Sequence, residues 1–345
     1  MLFQYAAVSA KVKTMHAGFL TQEDYRQLMT KQSVGEVCSY LKNNTSYRRV
    51  LSDINEGDIH RTDLELLIEK QYRDEYTRMY DFMNLEQRRV LKFLFYQEEN
   101  EFVKQHLRRI LTHEKESDMP QQEEVPLFFR RHTRIDLEKI AQANDLQSVV
   151  EACRRTDFYE VLKRAISIDT DLFATAMRLD GFFYTRLWQA KNKYTEKKNI
   201  SYFSEYIGQS IDMLNILWIY RSKRYYSMPN EIIYTYLIPV RYRLSEDAIA
   251  KMVEAERAED VKDMVLKTRY GGLFEHLSEG FFSEEIYRRV LYEQSKKIYH
   301  TAPESMAAVF AYFQMKENEI KNLTTIIEGI RYSFDADAIC EHIYY

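Results

Sequence analysis

The stretch HTAPESMAAVFAYFQMKENEIKNLTTIIEGIRY, residues 300–332, decides the fold class. Its apolar residues fall on two sevenfold series. One is Met306, Phe313, Ile320 and Ile327. The other is Val309, Lys316, Leu323 and Ile330, which only Lys316 breaks. A double seam of this kind predicts a long helix lying against a facing helix. Thr301 and Glu304 have the spacing of a capping box, and Pro303 falls in the first turn, where a missing N–H does no harm. The helix is therefore expected to begin at His300–Thr301 and to run to Tyr332. Glu317 and Lys321 form an i,i+4 pair in the favoured order. The signal in this stretch is structural, with no pattern of catalytic residues.

Composition extends that reading to the whole chain. Its 345 residues include nine Gly and five Pro, which is low against average usage. Few breakers, with abundant helix formers, predict long helices and an all-α fold. The 27 tyrosines suit broad, half-exposed helix faces, where the ring is buried and the hydroxyl stays wet. The 49 basic and 53 acidic residues leave a net charge of −4, without the basic excess of a general nucleic-acid binder. The longest apolar runs, such as Ile211 to Tyr220, are too short and too polar to span a bilayer. Met1 to Ala10 lacks the basic start and apolar core of a signal peptide. Cys38, Cys153 and Cys340 lie far apart, which suggests a reducing, cytoplasmic setting.

A threefold internal repeat organises the chain. VCSYLKNNTSY (37–47), VVEACRRTDFY (149–159) and VKDMVLKTRY (261–270) each read as a short amphipathic helix running into Thr-x-aromatic. The threonines, Thr45, Thr156 and Thr268, are 111 and 112 residues apart (156 − 45 and 268 − 156). A later acidic residue follows each: Glu101, Asp212 and Glu319, at offsets of 56, 56 and 51. The period exceeds that of common solenoid repeats and matches a small domain. The expected division is 1–125, 126–228 and 229–345, each a helical bundle.

Each copy reads in the same order. A capped short helix comes first, with Thr21 and Ser245 as N-caps. A second short helix carries the Thr-x-aromatic end. Two long helices follow: Asp63–Phe82 and Glu86–Leu111, then Asp171–Lys193 and Tyr202–Tyr225, then Ser283–Tyr299 and Pro303–Tyr332. The polar stretch His113 to Pro126 is the best boundary or exposed loop. Tyr234–Arg243 has extended character limited by Pro239.

Candidate chemistry is sparse. The chain has no G-x-x-x-x-G-K-[ST] loop to cradle phosphates. Its histidines show no H-E-x-x-H, and His106 and His300 suit surface or cap positions better than metal ligation. Gly271-Gly272 reads as a helix-terminus turn. Cys38 and Cys153 read as small core residues. Glu101, Asp212 and Glu319 could serve as catalytic carboxylates, but one acid per repeat favours a structural role, bonding the end of a neighbouring short helix or pairing with a base. Two basic groups remain: Lys191, Lys193, Lys197 and Lys198, and Arg221, Lys223 and Arg224. Cations at helix C-ends are expected from the dipole, yet these are also the candidate contacts for an acidic partner or lipid headgroups.

Four stretches together resemble a known family: Tyr5-Ala-Ala-Val-Ser-Ala-Lys-Val-Lys13, Leu41-Lys-Asn-Asn-Thr-Ser-Tyr47, Asn215 with Arg221-Ser-Lys223, and Lys316-Glu-Asn-Glu-Ile-Lys-Asn-Leu323. They look like the C subunit of the bacterial and archaeal V-type (A-type) ATPase, the counterpart of the eukaryotic d subunit. The resemblance covers nearly the whole chain, carried by order and spacing rather than by any one motif. It implies three similar helical bundles in a pseudo-threefold funnel. It implies a non-catalytic rotor subunit at the cytoplasmic mouth of the membrane proteolipid ring. It further implies that the D- and F-type shaft subunits enter this funnel, and that the protein binds no nucleotide or cofactor itself. The residues alone equally allow a generic helical scaffold for other partners; an enzyme with a novel helical site is the third alternative.

Overall fold

Few glycines and prolines leave few points at which a helix must stop, and the chain is built accordingly. The computed structural model describes residues 5–112, 125–168, 171–194, 200–274 and 284–345. Among them every regular element is a helix. In chain order these are α1 (Ala6–His16), α2 (Gln22–Met29), α3 (Val34–Asn44), α4 (Arg48–Leu51), α5 (Arg61–Phe82) and α6 (Leu85–Thr112). Next come α7 (Leu127–His132), α8 (Leu137–Ala141), α9 (Leu146–Ala152), α10 (Tyr159–Ile168), α11 (Leu172–Tyr194) and α12 (Ile200–Tyr225). The rest are α13 (Asn230–Tyr236), α14 (Glu246–Glu254), α15 (Ala258–Leu266), α16 (Gly271–Phe274), α17 (Glu284–Thr301), α18 (Met306–Arg331) and α19 (Ala336–Cys340). Most of the stretch expected to act as a linker, residues 113–124, lies outside the described residues. The segment with extended character is divided between α13 and an irregular turn around Pro239.

The long helices match the sequence pattern within a few residues, with one correction. Thr301 does not open the last long helix. It ends α17, where its hydroxyl donates to the Lys297 carbonyl at 2.8 Å. Ser305 opens α18 instead, its Oγ accepting from the Ala308 N–H at 3.2 Å. Proline disfavours the helical conformation of the residue before it. Ala302 therefore breaks the path, and the helix restarts only after Pro303.

The chain forms two compact units. Unit 1 comprises Met1–Arg88 with Arg288–Tyr345, so it joins both ends of the chain. Its central element is α18, buried almost all round from Met306 to Phe313, as expected of a helix without a polar face. α18 packs against α1, α2, α3, α5 and α19. The seam residues Leu323, Ile327 and Ile330 join Leu28, Val37, Cys38, Leu41 and Leu64 in one core.

Unit 2 comprises Arg89–Tyr287. Its central element is α12, with Ile207, Ile211, Leu214 and Trp218 among its many buried residues. α12 packs against α11, α13, α14 and α15. In both units a long apolar helix thus carries a pair of short ones: α2 and α3 on α18, and α14 and α15 on α12.

The double glycine opens α16, directly behind the third Thr-x-aromatic turn. A Cβ on Gly271 would run into the backbone carbonyl of Leu266, whereas one on Gly272 would meet open space. Gly271→Ala should therefore destabilise the protein by about 1–3 kcal/mol, the usual cost of forced overpacking. Gly272→Ala should leave stability unchanged or raise it by up to about 1 kcal/mol, since alanine is the better helix former. Thermal unfolding of the two variants checks this contrast.

Candidate functional site

The Thr-x-aromatic turns share one local design. Each threonine hydroxyl donates backward to a carbonyl at the end of its short helix: Thr45 to Leu41 (2.6 Å), Thr156 to Cys153 (2.7 Å) and Thr268 to Val265 (2.6 Å). The same oxygen accepts forward from the N–H two residues on: Tyr47 (3.2 Å), Phe158 (3.2 Å) and Tyr270 (3.1 Å). A hydroxyl does both jobs because it is donor and acceptor at once. The turn closes the helix and drives the aromatic ring into the interior, where Tyr47, Phe158 and Tyr270 are all buried.

Buried carboxylates receive what the turns deliver. In unit 1 the Tyr47 hydroxyl donates to Glu319 Oε1 at 2.8 Å, and the Leu20 N–H donates to Oε2 at 2.7 Å. Leu20 immediately precedes Thr21, which forms a full capping box with Asp24. In unit 2 the Tyr270 hydroxyl donates to Asp212 Oδ2 at 2.7 Å. Asp212 also accepts from the N–H groups of Tyr242, Arg243 and Leu244, just before the N-cap Ser245. One carboxylate thus ties three things together: the long helix, the entry to the first short helix and the exit of the second.

The middle copy keeps the plan and changes its parts. Its acid is Glu99. Glu99 Oε1 accepts from the Thr133 hydroxyl at 2.6 Å and from the Arg134 N–H at 3.4 Å, ahead of the N-cap Asp136. Phe158 has no hydroxyl to offer. The repeat spacing points two residues away, to Glu101, and the structure corrects that expectation. Glu101 is more than half exposed and pairs with Lys104 at 2.6 Å. In the helix the 99 position faces inward, as its burial shows; two residues along, a side chain points about 200° around the axis.

The acids bond the ends of neighbouring short helices, and those helices belong to the next copy. Each serves the short helices that follow it, and Glu319, the last of them, serves the first copy of the chain. The interaction with Tyr47 spans 272 residues. A matched asparagine lies three residues beyond two of the acids. Asn215 clamps the Ile238 backbone through both N–H (2.9 Å) and C=O (3.2 Å). Asn322 does the same to Tyr344, at 3.3 and 2.6 Å.

Burial sets the protonation of these groups. Burial, reinforced by the negative charge of Glu319, holds the Tyr47 hydroxyl well above its ordinary range. Burial and Asp212 do the same to Tyr270. Both phenols therefore stay protonated and act as donors. Burial also pushes the carboxyls of Asp212 and Glu99 up, against the hydrogen bonds that favour their ionised forms. Unit 1 adds a cation. Lys316, the one break in the apolar seam, is 1% exposed and sits 2.7 Å from Glu319 and 3.7 Å from Glu75. Its ammonium also lies 4.7 Å from the Tyr47 ring centroid and 5.1 Å from that of Phe19.

The candidate basic residues divide by what they touch. Lys191 is buried, with Nζ 3.9 Å from the Trp188 ring centroid, and burial lowers its pKa. Lys223 donates to the Ala255 carbonyl at 2.6 Å and to Asn230 Oδ1 at 3.1 Å, and burial lowers its pKa too. Arg221 lies over the Phe173 ring, 5.6 Å from its centroid. Arg224 is half exposed and pairs with Glu259 at 3.0 Å. Lys197 and Lys198 lie outside the described residues, as does the side chain of Lys193. His106 is buried, contrary to the surface or cap role expected of it, with Nδ1 2.9 Å from the Phe102 carbonyl of its own helix. Among the described residues no group of three or more His, Cys, Asp or Glu could hold a metal ion. No described helix is long and apolar enough to cross a membrane.

These clusters make distinct predictions. Tyr47→Phe and Tyr270→Phe should each destabilise the protein by about 1.5–3 kcal/mol, the usual range for a hydrogen bond to a charged group. Lys316→Met should cost more, about 3–5 kcal/mol, because two buried carboxylates lose their cation. Adding Glu75→Gln and Glu319→Gln to Lys316→Met should restore part of that loss. Equilibrium urea unfolding of the single and triple variants measures each effect.

Comparison with known proteins gives this architecture its family. The chain is 25% identical to an A-type ATP synthase C subunit of Methanosphaera stadtmanae over 57% of its length, an alignment spanning 53% of that relative. It is 21% identical to one of Methanobrevibacter smithii over 96% of its length and 85% of the relative's. It is 22% identical to one of Methanocaldococcus jannaschii over 95% and 83%. A model of the ATP synthase (C/AC39) subunit family matches residues 8–342, so the chain belongs to that family.

Proposed function

We propose that this chain is the non-catalytic central-stalk subunit of a rotary A/V-type ATPase or ATP synthase. In this reading it is a socket that couples the rotating shaft to the membrane proteolipid ring and so to proton or sodium transport. The observation that carries the proposal is the family match from residue 8 to residue 342. It is supported by relatives aligned over most of their length, each named as the C subunit of an A-type ATP synthase. The site chemistry agrees with it. Asp212 and Glu319 are committed to tyrosine hydroxyls and backbone N–H groups, an arrangement that holds helices together and leaves neither of these two poised for proton transfer to a substrate.

In this proposal the three repeat copies are three bundles around one axis, the D- and F-type shaft subunits enter between them, and the opposite face rests on the ring at the cytoplasmic side. A coupling element must resist shear, and fully satisfied buried polar networks stiffen and specify a fold. A generic helical scaffold for other partners is the alternative. A pull-down separates the two: retention of shaft subunits and ring supports the coupling role, and their absence supports the scaffold.

Within the proposed interface the basic residues rank by availability. Arg224 and Arg221 present charge without being held by a backbone carbonyl, whereas Lys223 braces α12 against Ala255. Lys193, Lys197 and Lys198 stay candidates on sequence grounds. Arg221→Glu with Arg224→Glu should weaken attachment to the complex in a salt-sensitive manner. Their effect on unfolding should stay within about 1 kcal/mol, as for exposed ion pairs. Lys223→Glu should destabilise the chain itself. Co-sedimentation with membranes at two ionic strengths, with thermal melts, tests all three. Loss of the whole protein should leave ATP hydrolysis by the isolated head intact while abolishing ATP-driven ion pumping.

A further inference from the structure

The middle copy of the repeat lacks a hydroxyl that its sisters have. Tyr47 and Tyr270 bring a phenol hydroxyl to their buried acids at 2.8 and 2.7 Å. Phe158 occupies the same place in the Thr-x-aromatic turn and brings none. A small cleft, about 40 Å³ in cavity volume and open to solvent, lies beside that ring. Phe93, Tyr96, Phe158 and Phe182 form its aromatic walls, and Glu99 lines it as well. Phe158 and Phe182 meet edge to face, with centroids 6.2 Å apart.

The acid in this cleft is incompletely satisfied. Both hydrogen bonds to Glu99, from Thr133 and Arg134, go to Oε1. Among the described residues none reaches Oε2. That oxygen is not sealed from solvent, so it is left as an acceptor open to the cleft, whereas in the other two copies both oxygens accept hydrogen bonds.

The mouth of the cleft is basic. Lys92, Arg134 and Arg186 line it. Arg186 is neutralised by Asp157 at 3.0 Å, and with Glu99 inside the cleft Lys92 and Arg134 together leave one excess positive charge at the mouth. Lys92 lies over the Tyr96 ring, 5.4 Å from its centroid. Aromatic walls, an acceptor inside and cations at the entrance define the ligand. It must be a flat ring with a hydroxyl donor, carried on a chain of negative charge.

We propose that this cleft binds a tyrosine side chain on an acidic segment of a partner protein, the phenol donating to Glu99 as Tyr47 and Tyr270 donate to Glu319 and Asp212 within the chain. The site stands on its own geometry and does not depend on the coupling role. The partner supplies in trans the hydroxyl that the middle copy lacks.

Calorimetric titration of the full chain with the peptide Glu-Asp-Tyr-Asp-Glu, blocked at both ends, tests the proposal. Its counterpart with Phe in place of Tyr is the control. The Tyr peptide should bind saturably and about tenfold more tightly than the Phe peptide, as one hydrogen bond to a charged acceptor implies. Phe158→Tyr places the hydroxyl in cis and should abolish this preference. Arg134→Ala, an exposed change with no burden on the fold, should weaken both peptides about threefold or more by removing rim charge. Absence of saturable heat at millimolar Tyr peptide would overturn the proposal. So would equal affinity for the two peptides, or an unaltered preference in a Phe158→Tyr protein whose helical content and melting are normal.

Discussion

A carboxylate inside a protein is tolerable only if donors surround it, and this chain turns that constraint into an architecture. Asp212 and Glu319 sit on the two most deeply buried helices and each collects hydrogen bonds from two directions. Backbone N–H groups come from the entry to one short helix, and a phenol hydroxyl comes from the exit of another. The donors exist only when both short helices are docked. Docking of α2 and α3 on α18, and of α14 and α15 on α12, is therefore coupled to satisfaction of a single charge. The threonine turn makes the geometry repeatable, because its hydroxyl fixes the chain path two residues before the ring arrives.

The same constraint explains the residues that look misplaced in the sequence. Lys316 breaks an otherwise apolar seam, but it is the counter-ion of Glu319 and Glu75. Many tyrosines occur because a tyrosine fills a core and still donates a hydrogen bond. Cys38 and Cys153 need no redox role. Both are buried, and burial pushes both thiols up, Cys153 to about 12, so neither is a ready nucleophile.

The all-helical character, the short-helix caps and the threonine turns were legible because they are local. Thr21, Ser245 and the Thr-x-aromatic spacing each act within a few residues of their own position. The partner of each turn was not legible. Nothing within reach of Tyr47 in sequence indicates Glu319, and equal spacing fits a pairing with the preceding acid as well as with the following one. The misreading of Glu101 for Glu99 has a similar origin, since adjacent acids in an amphipathic stretch are separated only by the facing surface. Asn215 and Asn322 were visible as parts of a family resemblance, yet their shared role as backbone clamps required coordinates. The position of the last helix start turned on one competition, proline as an N1 residue against proline as a breaker of the residue before it.

Glu319, on the last long helix, holds the first repeat copy in place through Tyr47 and Leu20. Hydrogen–deuterium exchange of the full chain, wild type against Glu319→Gln, tests it most directly. Faster exchange is expected in residues 18–47 and in 306–331, with residues 242–270 unchanged, because Asp212 serves that copy independently. Faster exchange confined to 306–331, with residues 18–47 as protected as before, would contradict it.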